Sequence, residues 1–166
     1  MWPGLTYTNV RNPDIARSLA TVGNTVSDDA LSYTGGNGCI ILDHQAERKL
    51  TRAELFTHRY VIVGGILGYD RPAGRTKQYI TSRFNPKKNI TRNLGKTQMT
   101  IDSAVFVARA LLLGSPLDEV EVTSEVEIKW DEVHSTLLPY GYPLINGSVI
   151  ITPGLLDILK KSWNAG

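Results

Sequence analysis

Between Arg71 and Ile101 the chain carries eight cations and no acid: Arg71, Arg75, Lys77, Arg83, Lys87, Lys88, Arg92 and Lys96. From Asp102 to Glu132 the balance reverses, with Asp102, Asp118, Glu119, Glu121, Glu125, Glu127, Asp131 and Glu132 against Arg109 and Lys129. Opposite charge blocks mark interaction surfaces. Read as a strand, Thr76 to Phe84 would place Lys77, Tyr79, Thr81 and Arg83 on one face and Ile80 and Phe84 on the other. Cations beside an aromatic ring on an open strand suit phosphate contact with base stacking. Arg75, Lys77, Tyr79, Arg83, Lys87, Lys88, Arg92 and Lys96 are therefore the candidate residues for contact with single-stranded nucleic acid. Two other readings stay open: a solvated basic face, and a head-to-tail protein contact between the basic block of one subunit and the acidic block of the next.

Other chemistry is sparse. His44, His58 and His134 are scattered, and no pair has metal-ligand spacing. Asp43-His44 is the one acid–histidine neighbour pair, but adjacent strand residues point to opposite faces, so it reads as a strand end turning into a loop. Glu121, Glu125 and Glu127 share a strand face that reads as solvated. A lone cysteine, Cys39, sits in an apolar run; it excludes an internal disulfide and reads as a buried thiol. Phosphate-loop, dinucleotide, zinc-peptidase, serine-hydrolase and EF-hand patterns are absent. No catalytic residue, metal or cofactor is assigned at this level.

The elements that must position these residues follow from caps and periods. Asn12-Pro13-Asp14 starts a short helix carrying Ile15, Leu19 and Val22, after an extended arm over residues 1–11. Residues 24–38 read as a glycine-rich loop and hinge. Cys39 to Leu42 reads as a buried strand, Thr51-Arg52-Ala53-Glu54 as a capping box, and Tyr60 to Val63 as a strand with a bulge at Gly64-Gly65. Turn chemistry at Asp70 to Gly74 would make that strand a hairpin with Thr76 to Phe84. Asn85 to Gln98 reads as a loop. Asp102 or Ser103 caps a buried helix over Ala104 to Leu113. Val120 to Trp130 alternates apolar and acidic residues, which predicts a long strand with one wet face and hence an antiparallel sheet. Asn146-Gly147 turns into a strand at Ser148 to Ile151, and Thr152-Pro153 opens a last helix.

These elements predict an α+β fold: an antiparallel or mixed sheet with about three helices packed mainly on one face, in a single domain. Within it, residues 1–37 form the arm and short helix and residues 38–166 the core. The 166-residue length, 42% hydrophobic and 20% charged content, and net charge of +2 are ordinary for a globular chain. No stretch is long enough to span a bilayer, and the amino end is unlike a signal peptide, so the expected setting is cytoplasmic or within a virion, not secreted. The functional expectation is a small non-enzymatic protein that binds single-stranded nucleic acid and assembles with itself, as a viral or phage coat or matrix protein would. The alternatives are an enzyme with a site around the three histidines, and a protein–protein module using the opposite charge blocks.

Overall fold

The computed structural model describes residues 4–64 and 75–164. In chain order the elements are β1 (Thr6–Tyr7), α1 (Pro13–Leu19), β2 (Asn24–Thr25), α2 (Ala30–Thr34), β3 (Cys39–Leu42), α3 (Arg52–Thr57), β4 (Tyr60–Val63), α4 (Arg75–Tyr79), β5 (Ile90–Arg92), α5 (Ile101–Leu113), β6 (Val126–Lys129), β7 (Ser135–Leu138), β8 (Leu144–Ile145), β9 (Ser148–Val149) and α6 (Leu155–Asn164). Single 3-10 turns follow α4 at Thr81–Arg83 and α5 at Leu117–Glu119.

The core is a three-stranded parallel sheet in the order β4-β3-β5, with Leu42 level with both Val63 and Arg92. All four residues of the central strand β3 are buried. Strand alternation sends Ile40 and Leu42 to one face and Cys39 and Ile41 to the other. The first face packs against Leu55 of α3 and Ala108 and Leu111 of α5. The second packs against Ala30 and Leu31 of α2, with Ile80 and Phe84. Cover on both faces is the reason for the continuous apolar runs Cys39–Leu42 and Tyr60–Val63.

This corrects the expected antiparallel or mixed sheet with about three helices on one face. Six helices occur among the described residues, and those packed on the parallel core cover both of its faces, α3 and α5 on one and α2 on the other. The expectation rested on the alternation from Val120 to Trp130, yet only Val126–Lys129 forms a strand there. It pairs antiparallel with β7 in a separate hairpin, where Val126 and Ile128 are only half-buried. Among the described residues, antiparallel pairing is confined to that hairpin, to β8–β9 and to a single bridge between Val122 and Pro143. The expected strand at Thr76–Phe84 is instead α4 and a 3-10 turn, and β5 lies inside the expected loop 85–98. The expected loop 24–38 contains β2 and α2, and β2 pairs parallel with β1. The turn at Asp70–Gly74, Gly65 of the expected bulge, Arg71, and Met1, Trp2 and Pro3 of the arm lie outside the described residues.

The local punctuation behaves as its chemistry requires. Asn12 Oδ1 accepts from the N–H groups of Asp14 and Ile15 and starts α1. Thr51 and Glu54 close a reciprocal capping box on α3. α5 is capped by Thr100 in place of the expected Asp102 or Ser103, and ends at Gly114 in the left-handed conformation. It buries Ser103, Val107, Ala108 and Leu111 on one face while Leu113 is 73% exposed, so it lies on the sheet and is not enclosed by it. No helix among the described residues is long and apolar enough to cross a membrane.

Candidate active site at the carboxyl edge of the parallel sheet

Parallel strands end together, and ligands of open α/β sheets bind in the crevice outside their carboxyl ends. Here that edge is formed by Asp43 after β3, Gly64 after β4 and Asn93 to Thr100 after β5. Asp43 is the buried carboxylate among the described residues, at 4% exposure. Its N–H continues the ladder to the Arg92 carbonyl at 2.9 Å. One carboxylate oxygen accepts from the Gln45 N–H at 3.0 Å and the other from the Thr81 hydroxyl at 3.1 Å. His44 follows, with its Nδ1 4.0 Å from Asp43 Oδ1. A buried carboxylate costs free energy unless it is well partnered, and Gln45 and Thr81 supply those hydrogen bonds at the strand terminus.

The loop after β5 is held at its root by an ion pair. Arg92 donates to Glu54 Oε1 through Nε at 2.8 Å and Nη2 at 2.6 Å, with both side chains largely buried. Burial opposes the charge of Glu54, but the hydrogen bonds from Arg92 and Thr51 outweigh it and hold the carboxyl below its ordinary range. Asn93 then donates to the Ala46 carbonyl at 2.6 Å and accepts from the Gly95 N–H at 3.0 Å. Two further segments cross the loop. The Gly141 N–H donates to the Gln98 carbonyl at 2.8 Å, and the Thr123 N–H donates to the Tyr142 carbonyl at 2.9 Å. A Cβ on Gly141 would lie 2.7 Å from Thr97 Cγ2, 2.9 Å from Val122 Cγ1 and 3.1 Å from the Thr123 carbonyl, so only glycine fits the crossing. Tyr142, 2% exposed, is buried beside it, and burial pushes its hydroxyl pKa up. A recess of about 220 Å³ opens between Leu94, Thr97, Met99, Leu117 and Val122, walled by the Lys49–Asp118 ion pair. It is smaller than the roughly 300–1,000 Å³ of a typical ligand site, and on its own it does not define one.

The expected nucleic-acid residues do not form one face. In a helix, residues two apart point in opposite directions, so α4 separates Lys77 from Tyr79, both exposed. Arg75 starts the same helix. Arg83 is tied to Asp29 at 2.6 Å, and Arg92 is tied to Glu54. Lys96 is exposed on the loop beyond the carboxyl edge, whereas Lys87 and Lys88 are exposed on the loop that enters β5 at the opposite edge. The three histidines are also apart. His44 is at the carboxyl edge, His58 ends α3, and His134 lies in the β6–β7 turn against Asp131. No group of three metal-ligating side chains occurs among the described residues. Sequence reasoning considered Asp43 and set it aside. The signal that would have kept it is the pair of apolar runs flanking the capped helix 52–57, a strand–helix–strand unit whose strands end at Asp43 and Gly64.

Fold and site together define an α/β protein of the class whose ligand crevice opens at the carboxyl ends of parallel strands. The chain belongs to the SFM1-like protein arginine N-methyltransferase family, whose pattern it matches over residues 5–165. It is 30% identical over 128 residues to the protein arginine N-methyltransferase SFM1 of Saccharomyces cerevisiae, covering 76% of this chain and 59% of that protein. The chain thus spans about three fifths of the length of this curated relative. The yeast arginine methyltransferase SFM1 complexed with SAM superposes with a TM-score of 0.81 at 25% identity, over 95% of this chain and 77% of that one. The same enzyme complexed with SAH gives 0.80 at 23% identity, over 93% and 80%, a likeness that shows the fold alone. Family membership overturns the expectation of a non-enzymatic, self-assembling structural protein of viral or phage type, because it places the chain among methyltransferases. The composition that suggested a coat protein reflects polar loops around an α/β core.

Proposed function

We propose that this protein is an S-adenosylmethionine-dependent arginine N-methyltransferase that modifies a protein substrate at the carboxyl edge of its parallel sheet. The observation that carries the reading is the family match over residues 5–165. The chain's own groups suit such a cofactor. The buried Asp43 carboxylate offers negative charge to a cationic ligand, Leu94 and Met99 offer apolar surface to a flat base, and Gly95 leaves its backbone uncovered. When bound, S-adenosylmethionine supplies an electrophilic methyl group on a sulfonium centre.

The rest of the work falls to the protein. A guanidinium is protonated far above neutral pH and its nitrogen electrons are delocalised. The acceptor nitrogen must therefore be oriented and give up a proton as it gains the methyl group. Asp43 suits the first task through charge-assisted hydrogen bonds. His44, beside it at the rim with Nδ1 4.0 Å from Asp43 Oδ1, is placed to pass the proton to water. The crossings at Gly141 and Asn93 keep the loop walls rigid, so that the reacting groups meet in a fixed geometry.

The test is calorimetric titration with S-adenosylmethionine and its demethylated product, followed by transfer of a labelled methyl group to proteins of a cell extract. Hydrolysed substrate should contain methylarginine. No binding of either compound, or label found only on lysine or nucleic acid, would refute the proposal.

A further inference from the structure

The amino-terminal edge of the same sheet carries a feature that methyl transfer at the other edge does not use. Gly38, just ahead of β3, is its centre. Its N–H donates to the Lys88 carbonyl at 3.1 Å, and its carbonyl accepts from the N–H groups of Arg59 at 2.9 Å and Tyr60 at 3.2 Å. The roots of β4 and β5 are thereby drawn to either side of one residue, about two strand spacings or roughly 10 Å apart. Asn89, 5% exposed, locks the second root. Its Oδ1 accepts from the Cys39 N–H at 3.0 Å, and its Nδ2 donates to the carbonyls of Gly36 at 2.8 Å and Asn85 at 3.0 Å. Arg59, Lys87 and Lys88 are exposed on this platform, and none of them is in an ion pair among the described residues. The nearby acid Asp29 is taken up by Arg83.

Aromatic surface adjoins the charge. The Arg59 guanidinium lies 5.3 Å from the centre of the Tyr60 ring, and Tyr33, an exposed residue of α2, meets Tyr60 edge-on at 6.2 Å. Cations on a rigid backbone beside aromatic rings are what single-stranded nucleic acid requires: fixed positive charge for phosphates and an aromatic surface for bases. An acidic protein would use the charge and leave the rings unused.

We propose that this edge, formed by Arg59, Lys87 and Lys88 with Tyr33 and Tyr60, is a binding surface for the backbone of single-stranded nucleic acid, separate from the methyl-transfer site. Of the acid-free run of cations, Lys87 and Lys88 belong to it; Lys77 and Lys96 do not.

The experiment is fluorescence anisotropy of a labelled, mixed-sequence single-stranded RNA against the intact protein at several salt concentrations. Affinity should fall with salt at a log–log slope of about −0.7 per phosphate contacted, which is about fivefold per contact at 0.1 M salt relative to 1 M. The triple variant Arg59→Ala, Lys87→Ala, Lys88→Ala should flatten the slope by about 2 and keep the wild-type melting temperature, since all three side chains are exposed. Lys77→Ala with Lys96→Ala should leave binding unchanged. Lys87→Glu with Lys88→Glu gives a second check through charge reversal. Any of three results overturns the proposal: no binding at low salt, a triple variant that binds like the parent, or an equal loss from the Lys77 and Lys96 changes. Displacement of the RNA by polyglutamate at matched charge would overturn it in favour of an acidic protein partner. None of these readouts depends on methyltransferase activity.

Discussion

Gly141→Ala tests whether the crossing of three segments is what shapes the proposed active site. The new methyl group would stand 2.7 Å from Thr97 Cγ2 and 2.9 Å from Val122 Cγ1, both on β-branched side chains with little rotamer freedom, and 3.1 Å from the Thr123 backbone carbonyl. Carbon atoms prefer separations near 3.5–4.0 Å, so something must move by most of an ångström. Overpacking of this kind costs about 1–3 kcal/mol. For a chain of this size that lowers the melting temperature by about 2–12 °C. The displaced element is the 97–99 loop beside the carboxyl edge, so affinity for S-adenosylmethionine should fall with stability. Thr97→Ser removes the nearest methyl, and the double variant Gly141→Ala, Thr97→Ser should regain part of both losses in a double-mutant cycle. Thermal denaturation and calorimetry read the two quantities. A Gly141→Ala protein that melts and binds like the parent, or a pair of substitutions that simply add, would refute the reasoning.

Asp43→Asn keeps the size of the side chain but removes its charge, so methyl transfer should drop by roughly 10²–10³-fold with the fold retained, as measured by labelled-methyl transfer and circular dichroism. Glu54→Gln should cost about 1–3 kcal/mol, between an exposed pair and a fully buried one, as read by chemical denaturation. The pH dependence has a definite sign. The carboxyls of Glu54 and Asp29 are held below their ordinary values, Asp29 at about 2, so their contribution is complete above about pH 4.5 and fades as the pH falls through the folded values; Glu54→Gln should flatten that acid limb. Leu111→Asp puts a charge into the core at a site 5% exposed and should abolish cooperative melting, whereas Val126→Asp, on the half-buried face of the β6–β7 hairpin, should cost far less.

Much of the local structure was legible from residues close together in the chain. Asn12-Pro13-Asp14 set the start of α1, Thr51 and Glu54 the start of α3, and the apolar run after Ile101 the helix α5, because caps and periods act over a few residues. The apolar tetrads Cys39–Leu42 and Tyr60–Val63 were legible as strands, and the lone Cys39 excluded an internal disulfide. Pairing direction was not legible, because a four-residue apolar run has no period to say whether one face or both are covered. The best-patterned stretch, Val120–Trp130, lies at the periphery, where alternation records exposure and not the core. Thr76–Phe84 is polar enough for either a helix or a strand, and packing of Ile80 and Phe84 under the sheet decided it. Only the tertiary structure brought Asp43, Gly64 and Asn93 to one edge, gave Arg83 and Arg92 their partners from 54 and 38 residues away, and left Lys87 and Lys88 on the opposite edge. Charge and burial at a site are sums over neighbours distant in sequence, and those neighbours are chosen by the parallel order β4-β3-β5, which no local pattern encodes.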